Sequence, residues 1–274
     1  MAGLKKISVV SILQQGMRFY LTALKSFAYQ TYIDVEWIIV DNTGHNVLKS
    51  RLERYLNGSR KIKVYANAKP LKDVEVLQQA FGLCNGEFVA FLNPRDFWTK
   101  DKLSKQIAFM LRYMAPLSHT SYAFADDKCN LLSIGCYHSL RELNMLNYSL
   151  QNPVSNSTLM INREKVLLDF GKYEEDNPDF DFMTFLLKHG IVSSGMSEVM
   201  TLCRPVFDKE RQSKIDAMVR QLLLENPDDK TIGQRVLEYH AYSALNVQGL
   251  KLDPSICIGY DVVLSLRKLK EIQI

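Results

Sequence analysis

The sequence predicts an α/β fold in which a sheet is flanked by helices and followed by a helical extension. Three observations lead there. Short apolar, β-branched runs alternate with helical patterns through the first hundred residues. The runs start at residues 7, 35, 61 and 87, which are 28, 26 and 26 residues apart. A parallel strand–helix–strand unit needs about that length, because its crossover is long. Beyond about residue 208 the pattern is helical, broken at Asn226–Asp229 and at Asp253–Pro254. The chain is therefore expected to divide into a domain over 1–207 and an extension over 208–274.

The strands of the first half are expected at Ile7–Leu13, Val35–Asp41, Lys61–Ala66 and Glu87–Leu92. Alternating with helices, they read as a parallel sheet with helices on its faces. The first helix is expected over Met17–Tyr29, with Phe19, Leu21, Leu24, Phe27 and Ala28 as its apolar positions. The second is expected over about Val47–Leu56 and the third over Leu71–Cys84, where Val74, Leu77, Phe81 and Cys84 recur at helical spacing. A further helix runs from about Lys100 to Tyr113, with Thr99 as candidate N-cap. Phe124–Lys128 reads as a strand entering a turn, with Leu131–Tyr137 as its return. Ser157–Asn162 reads as a short strand, Arg163–Leu168 as a helical turn and Asp181–His189 as a helix.

Composition excludes several classes. The 274 residues carry 34 Lys plus Arg against 30 Asp plus Glu, a net charge of +4. That is too weak for a nucleic-acid-binding stripe. Five cysteines, an odd number with no CxxC spacing, argue against a disulfide framework and a zinc site. No apolar stretch approaches 18 residues, so no transmembrane helix is expected. The apolar run behind Lys5 and Lys6 is cut short by Gln14 and Gln15, unlike a secretory leader. A cytoplasmic protein, peripheral at most to the membrane, is the expectation.

In open parallel sheets, ligands bind beyond the carboxyl ends of the strands where strand order reverses. The second strand ends in Asp41–Asn42 and the fourth leads into Asn93–Pro94–Arg95–Asp96. With strand order 3-2-1-4 these ends flank the first strand and form one polar crevice. Asp41 either accepts hydrogen bonds from a ribose or base, or caps its own turn. The loop after the first strand lacks the glycines of a dinucleotide fingerprint. The chain has neither a phosphate-binding P-loop nor a nucleophile elbow.

Taken in order, the residues resemble family 2 glycosyltransferases, nucleotide-sugar enzymes of the GT-A fold. Ile7–Val10, Ala23–Ser26 and Gln30–Tyr32 are similar to the family's opening strand, helix and Q-T-Y turn. Val35–Asp41 resembles its second strand with the nucleotide-binding aspartate. Asn85–Leu92 resembles the strand leading into the D-x-D motif, and Phe97–Trp98, Lys102–Leu103 and Gln106 match beyond it. Asn152–Pro153 and Ser157–Ile161 resemble the acceptor-side strand. Asp179–Asp181 and Leu186–Gly190 resemble the E-D motif and its helix. The resemblance covers about residues 5–205. It implies a Rossmann-like mixed sheet, and nucleotide contacts from Ser11, Leu13, Asp41, Asn42, Gln78, Asn93, Arg95 and Asp96. It also implies Asp179 as catalytic base, with Asp181 second.

The departures bear on mechanism. Asn42 stands where the family has a second acid, and Ile12–Gln15 where it has P-T-Y-N. Gln78 replaces an asparagine of the third helix. Asn93–Pro94–Arg95 replaces the D-x-D motif that holds Mg²⁺ or Mn²⁺, leaving Asp96 as the remaining carboxylate for a metal. Pro178 takes the glutamate position of the E-D motif. Arg95 either supplies the positive charge for the diphosphate itself, or pairs with Asp96 or faces solvent. Asp179 and Asp181 also lie where acids stabilise a helix N-terminus.

The resemblance implies an inverting transferase that moves a sugar from a nucleotide-sugar donor to a glycan acceptor in bacterial surface polysaccharide or glycoprotein synthesis. The alternative is a non-catalytic glycosyltransferase-like subunit that binds nucleotide or an active partner. A nucleotidyltransferase with a related sheet is a third, weaker reading. The basic amphipathic stretch Val262–Lys270 either lies on an anionic bilayer or packs against a protein surface, a second subunit included. Residues 1–30 hold Lys5, Lys6, Arg18 and Lys25 and no acid, which is the whole +4. That charge is expected beside the crevice, facing an anionic diphosphate.

Overall fold

A computed structural model describes residues 4–45, 48, 49, 52, 61–125, 131–137 (backbone), 141–144, 148, 154–170 and 182–204. The expected helix over 47–56 is described only at residues 48, 49 and 52. The Asp126–Lys128 turn, Asp179, Asp181 and the extension over 208–274 lie outside the described residues.

Four parallel strands form one half of the sheet: β1 (Ile7–Leu13), β2 (Val35–Asp41), β3 (Ile62–Ala66) and β4 (Phe88–Phe91). Their spatial order is β3-β2-β1-β4, the order expected from sequence. Beyond β4 the sheet becomes mixed. It continues through β9 (Met160–Asn162, antiparallel to β4), β6 (Leu117–Ala125), β10 (Ser193–Cys203) and the two-residue β5 (Phe97–Trp98). β7 (Leu131–Tyr137) returns along β6, and β8 (Glu142–Leu143) pairs with β10.

Side-chain alternation sorts the core into two layers. Val9, Trp37, Ile39, Phe88 and Ala90 face one side. There they pack on α1 (Leu21–Ala28) and on α3 (Lys102–Tyr113), through Ala23, Leu24, Phe27, Leu103, Ile107 and Met110. Val10, Ile38, Val40, Val89 and Phe91 face the other side. They meet α2 (Asp73–Leu83) and α4 (Phe182–Lys188), through Val76, Leu77, Phe81, Phe182 and Leu186.

The amino ends of the strands are tied by Glu36, a buried carboxylate. It accepts hydrogen bonds from the Ser8 hydroxyl (2.8 Å), the Asn85 N–H (2.8 Å) and the Asn85 side-chain amide (3.3 Å). Lys63 and Lys6 approach it at 3.1 and 3.5 Å. Burial alone would raise its pKa, but these donors outweigh burial and hold it down to about 2. Gly86 lies against the start of β1, where an added Cβ would come 2.5 Å from the Ser8 nitrogen. Only a residue without Cβ fits there.

Several elements differ from expectation. α1 starts at Leu21 rather than Met17, because Tyr20 is extended and its N–H donates to the Pro94 carbonyl (3.0 Å) instead of entering a helix. α3 starts at Lys102 with Asp101, not Thr99, at its N-cap. Ser157 belongs to a 3-10 turn (Asn156–Thr158) that precedes β9. β6 begins at Leu117, seven residues before the expected Phe124. Its Ser118, His119, Thr120 and Ser121 look like a loop in sequence, yet all are buried. Gln106 donates to the Ser118 hydroxyl (3.0 Å), and the His119 ring shares a 2.8 Å hydrogen bond with Ser193. β10 escapes the sequence because its register against β6 shifts twice, between Met196 and Thr201. Such bulges erase the period-2 pattern.

Candidate functional site

The expected crevice falls at the carboxyl ends of β1, β2 and β4. Asp41 ends β2 with its side chain buried. Its Oδ1 accepts hydrogen bonds from the Thr43 N–H (3.1 Å) and hydroxyl (2.7 Å), and its Oδ2 accepts one from the Leu48 N–H (3.3 Å). The cap geometry weighed from sequence is therefore present. Asn42 is wholly buried. Its amide donates to Gln14 Oε1 (2.8 Å) and to the Leu71 carbonyl (2.9 Å), while its Oδ1 accepts from Asn67 (3.0 Å) and the Leu71 N–H (2.9 Å). One asparagine thus joins the loops that follow β1, β2 and β3. An aspartate could not donate the two bonds that Asn42 gives, which explains the residue at this position.

The segment after β4 is a tight turn. The Asp96 N–H donates to the Asn93 carbonyl (2.9 Å), with Pro94 at the second position. Asn93 Oδ1 accepts from the Arg95 N–H (3.0 Å). Asp96 is 5% exposed. Its Oδ2 accepts from the hydroxyls of Ser157 (2.6 Å) and Ser155 (3.5 Å), and its Oδ1 from the Arg204 N–H (3.2 Å). Burial pushes the Asp96 pKa up, against the downward pull of Ser157 and the Arg204 N–H. Asp96 is thus a clamp that joins the turn to the 3-10 segment and to the end of β10.

The same edge gathers cations. Arg204, just past β10, is 5% exposed. Its guanidinium lies 4.2 Å from the Tyr20 ring centroid and 5.2 Å from that of Phe97. It donates to the Arg95 carbonyl and to the Thr22 hydroxyl (3.1 Å). Arg18 approaches the same Tyr20 ring at 4.9 Å and is exposed. Arg95 is half-buried at the tip of the 93–96 turn. The strand directions put all three at the carboxyl edge, since β10 runs parallel to β6.

The other expected site residues fall as follows. Ser11 is buried beneath the crevice, accepting from the Trp37 indole N–H (2.9 Å) and donating to the Leu92 carbonyl. Leu13 is buried, and its carbonyl accepts from the Asn42 N–H (2.9 Å). Gln78 is exposed on α2, whereas its neighbour Gln79 exchanges two hydrogen bonds with Asn67 (2.9 and 3.0 Å). The charge excess of residues 1–30 is divided rather than gathered. Lys5 and Lys6 sit at the opposite end of β1, paired with Glu87 and Glu36, and Arg18 reaches the crevice edge. Arg204 and Tyr20 were not foreseen. Arg204 follows a strand whose pattern is broken, and Tyr20 lay inside an expected helix.

A divalent cation needs hard oxygen ligands with accessible lone pairs. In the 93–96 turn, Asn93 Oδ1 is taken by a backbone donor. The Asp96 carboxylate is turned inward onto three donors, and arginines flank it. These residues do not fit a Mg²⁺ or Mn²⁺ ion. Among the described residues no group of three or more His, Cys, Asp or Glu is placed to hold a metal.

A parallel half-sheet with polar residues at its carboxyl edge, extended by a mixed set of strands, is the architecture of a GT-A type of fold. The Glycosyl transferase family 2 model matches residues 19–166, more than half of the chain, and the chain belongs to that family of transferases. An uncharacterized glycosyltransferase of Haemophilus influenzae is 23% identical over 185 residues, 66% of this chain and 72% of that one. The putative teichuronic acid biosynthesis glycosyltransferase TuaG of Bacillus subtilis is 26% identical over 205 residues, 73% of this chain and 79% of its own. Among solved structures, S. aureus TarS 1–349 in complex with UDP-GlcNAc has a TM-score of 0.58 at 16% identity. It covers 86% of this chain and 72% of its own. That likeness bears on the fold. Among the described residues, no helix is long and apolar enough to cross a membrane.

Proposed function

We propose that the chain is an inverting glycosyltransferase that moves a sugar from a nucleoside-diphosphate donor to a growing bacterial surface glycan. The observation that carries this reading is the family match over 19–166, a span that includes Asp41, Asn42 and the 93–96 turn at the carboxyl edge of the sheet. The nucleoside lies against the Asp41 end and the diphosphate against the turn. The acceptor hydroxyl attacks the anomeric carbon from the face opposite the diphosphate. The new C–O bond forms as the sugar–phosphate bond breaks, and its electron pair leaves on the nucleoside diphosphate. Asp179 takes the acceptor's proton, with Asp181 as the second candidate. The likeness to TuaG and to TarS with UDP-GlcNAc supports a polysaccharide acceptor and makes UDP-GlcNAc the first donor to test. We place the reaction on the cytoplasmic side, with membrane or subunit contacts carried by residues 208–274.

The experiment is titration of the full chain with a panel of nucleotide sugars, followed by donor hydrolysis. The reading expects one specific donor to bind and to be hydrolysed. Asp179→Asn should lower turnover by about 10²–10⁴-fold while donor affinity stays within twofold. Full activity in Asp179→Asn would remove that residue from the mechanism. Binding without hydrolysis or transfer would favour the non-catalytic subunit.

A further inference from the structure

We propose that this enzyme meets the leaving diphosphate with an arginine cluster, Arg18 and Arg95 held around Tyr20 by Arg204, in place of a bound divalent metal. The inference rests on the glycosyltransferase reading above and concerns how that site handles charge. The group that leaves is a dianion or more, and its growing charge has to be met by fixed positive charge. The turn that would hold a metal has both of its side-chain acceptors committed to protein donors. Among the described residues the guanidiniums of Arg18, Arg95 and Arg204 stand at the same edge, and the carboxylates of Asp41 and Asp96 there are each held by protein donors.

The three arginines have different tasks. Arg204 is buried, and its two terminal nitrogens are used by the Arg95 carbonyl and Thr22. It is a positioning residue: it fixes the backbone of the turn that carries Arg95, and its charge rests on the Tyr20 and Phe97 rings. Tyr20 closes the assembly from the other side, donating its N–H to the Pro94 carbonyl (3.0 Å). Arg95, half-buried at the tip, and Arg18, exposed on the Tyr20 ring, are the residues that reach the ligand. A guanidinium forks onto two phosphate oxygens at once. A turn fixed by proline, an Asx bond and Arg204 holds that fork without reorganisation.

The test is calorimetric binding to the full chain of UDP, GDP and CDP, of inorganic pyrophosphate and of the matching nucleoside, in EDTA and then in Mn²⁺. The expected result is a nucleoside diphosphate that binds in EDTA with an affinity within twofold of that in Mn²⁺. Arg95→Gln should weaken that diphosphate and pyrophosphate by about tenfold each and leave the nucleoside unchanged. Arg18→Gln should do the same to a smaller degree, which keeps the test open if a variant at the turn folds poorly. Arg204→Lys should weaken diphosphate and raise KM for donor, with nucleoside affinity retained, a split that a general loss of fold would not give. Binding that requires Mn²⁺, or arginine variants that bind diphosphate like the parent chain, overturns the arginine cluster and leaves the glycosyltransferase reading standing. Absence of any diphosphate binding with or without Mn²⁺ overturns both.

Discussion

Glu36→Gln isolates the clamp at the amino ends of the strands from the crevice at their other ends. The wild-type carboxylate is 3% exposed and collects hydrogen bonds from Ser8, the Asn85 N–H, the Asn85 amide and Lys63. Glutamine keeps the shape but turns one acceptor into a donor, which then faces Lys63 and Asn85, themselves donors. The folded pKa falls from an ordinary 4.5 to about 2. At about 1.4 kcal/mol for each tenfold in the proton equilibrium, that is worth about 3 kcal/mol. The sign follows from the depressed pKa. The stabilisation is fully present above pH 4.5 and is lost as pH falls towards 2. Urea unfolding measured at pH 7 and pH 3 checks this. Glu36→Gln should be less stable by about 3 kcal/mol at pH 7, and its stability should fall less steeply between the two pH values. Nucleotide affinity should be unchanged, because the clamp and the crevice lie at opposite ends of β1 and β2. A variant with the parent's pH dependence would refute the assignment of that stability to Glu36.

Two further substitutions probe the network beneath the turn. Ser157→Ala removes the hydroxyl that donates to Asp96 Oδ2 (2.6 Å) and accepts from the Asn93 N–H (2.9 Å). It should cost about 1–3 kcal/mol in unfolding free energy and weaken nucleoside-diphosphate binding, read by denaturant titration and calorimetry. Lys102→Met addresses an amine that is wholly buried, 4.0 Å from the Trp98 ring centroid, with no hydrogen-bond partner among the described residues. Burial holds its folded pKa well below the ordinary 10.5. The unfolded chain therefore binds the extra proton between those values, and wild-type stability rises with pH up to about 10.5. Methionine should stabilise the protein at pH 7 by about 1–4 kcal/mol and flatten that rise, as followed by thermal melts from pH 7 to 10.

The strands that were legible in sequence share one property. β1, β2 and β7 have the residue bounds expected from their apolar runs, because an apolar, β-branched segment carries its own signal. β6 and β10 have no such signal. Ser118 and His119 are buried against the side chains of Gln106 and Ser193, and Ser121 donates to the Met196 carbonyl, so their environment is tertiary and cannot be seen locally. The site divides in the same way. Asp41, Asn93, Arg95 and Asp96 could be placed at the carboxyl edge from sequence because they end or follow strands that can be read. What they bond to could not be found, since Asp96 is committed to Ser157 and Arg204, 61 and 108 residues away in sequence. Whether a carboxylate faces a ligand or a serine depends on such distant partners.

Charge shows most plainly why position in the chain and position in the fold are different quantities. The first thirty residues hold the whole net charge in sequence, yet β1 separates its own cations by the length of the strand. Lys5 and Lys6 enter the strand beside Glu87 and Glu36, where they neutralise acids. Arg18 leaves it beside Tyr20. The cations that join Arg18 come from the end of β4 and the end of β10, 77 and 186 residues further along the chain. A parallel sheet makes this convergence general: every strand delivers its last residues to one edge. The charge at that edge is set by the residues just past each strand, and Lys5 and Lys6, which weigh in a running count, are spent on acids at the opposite edge.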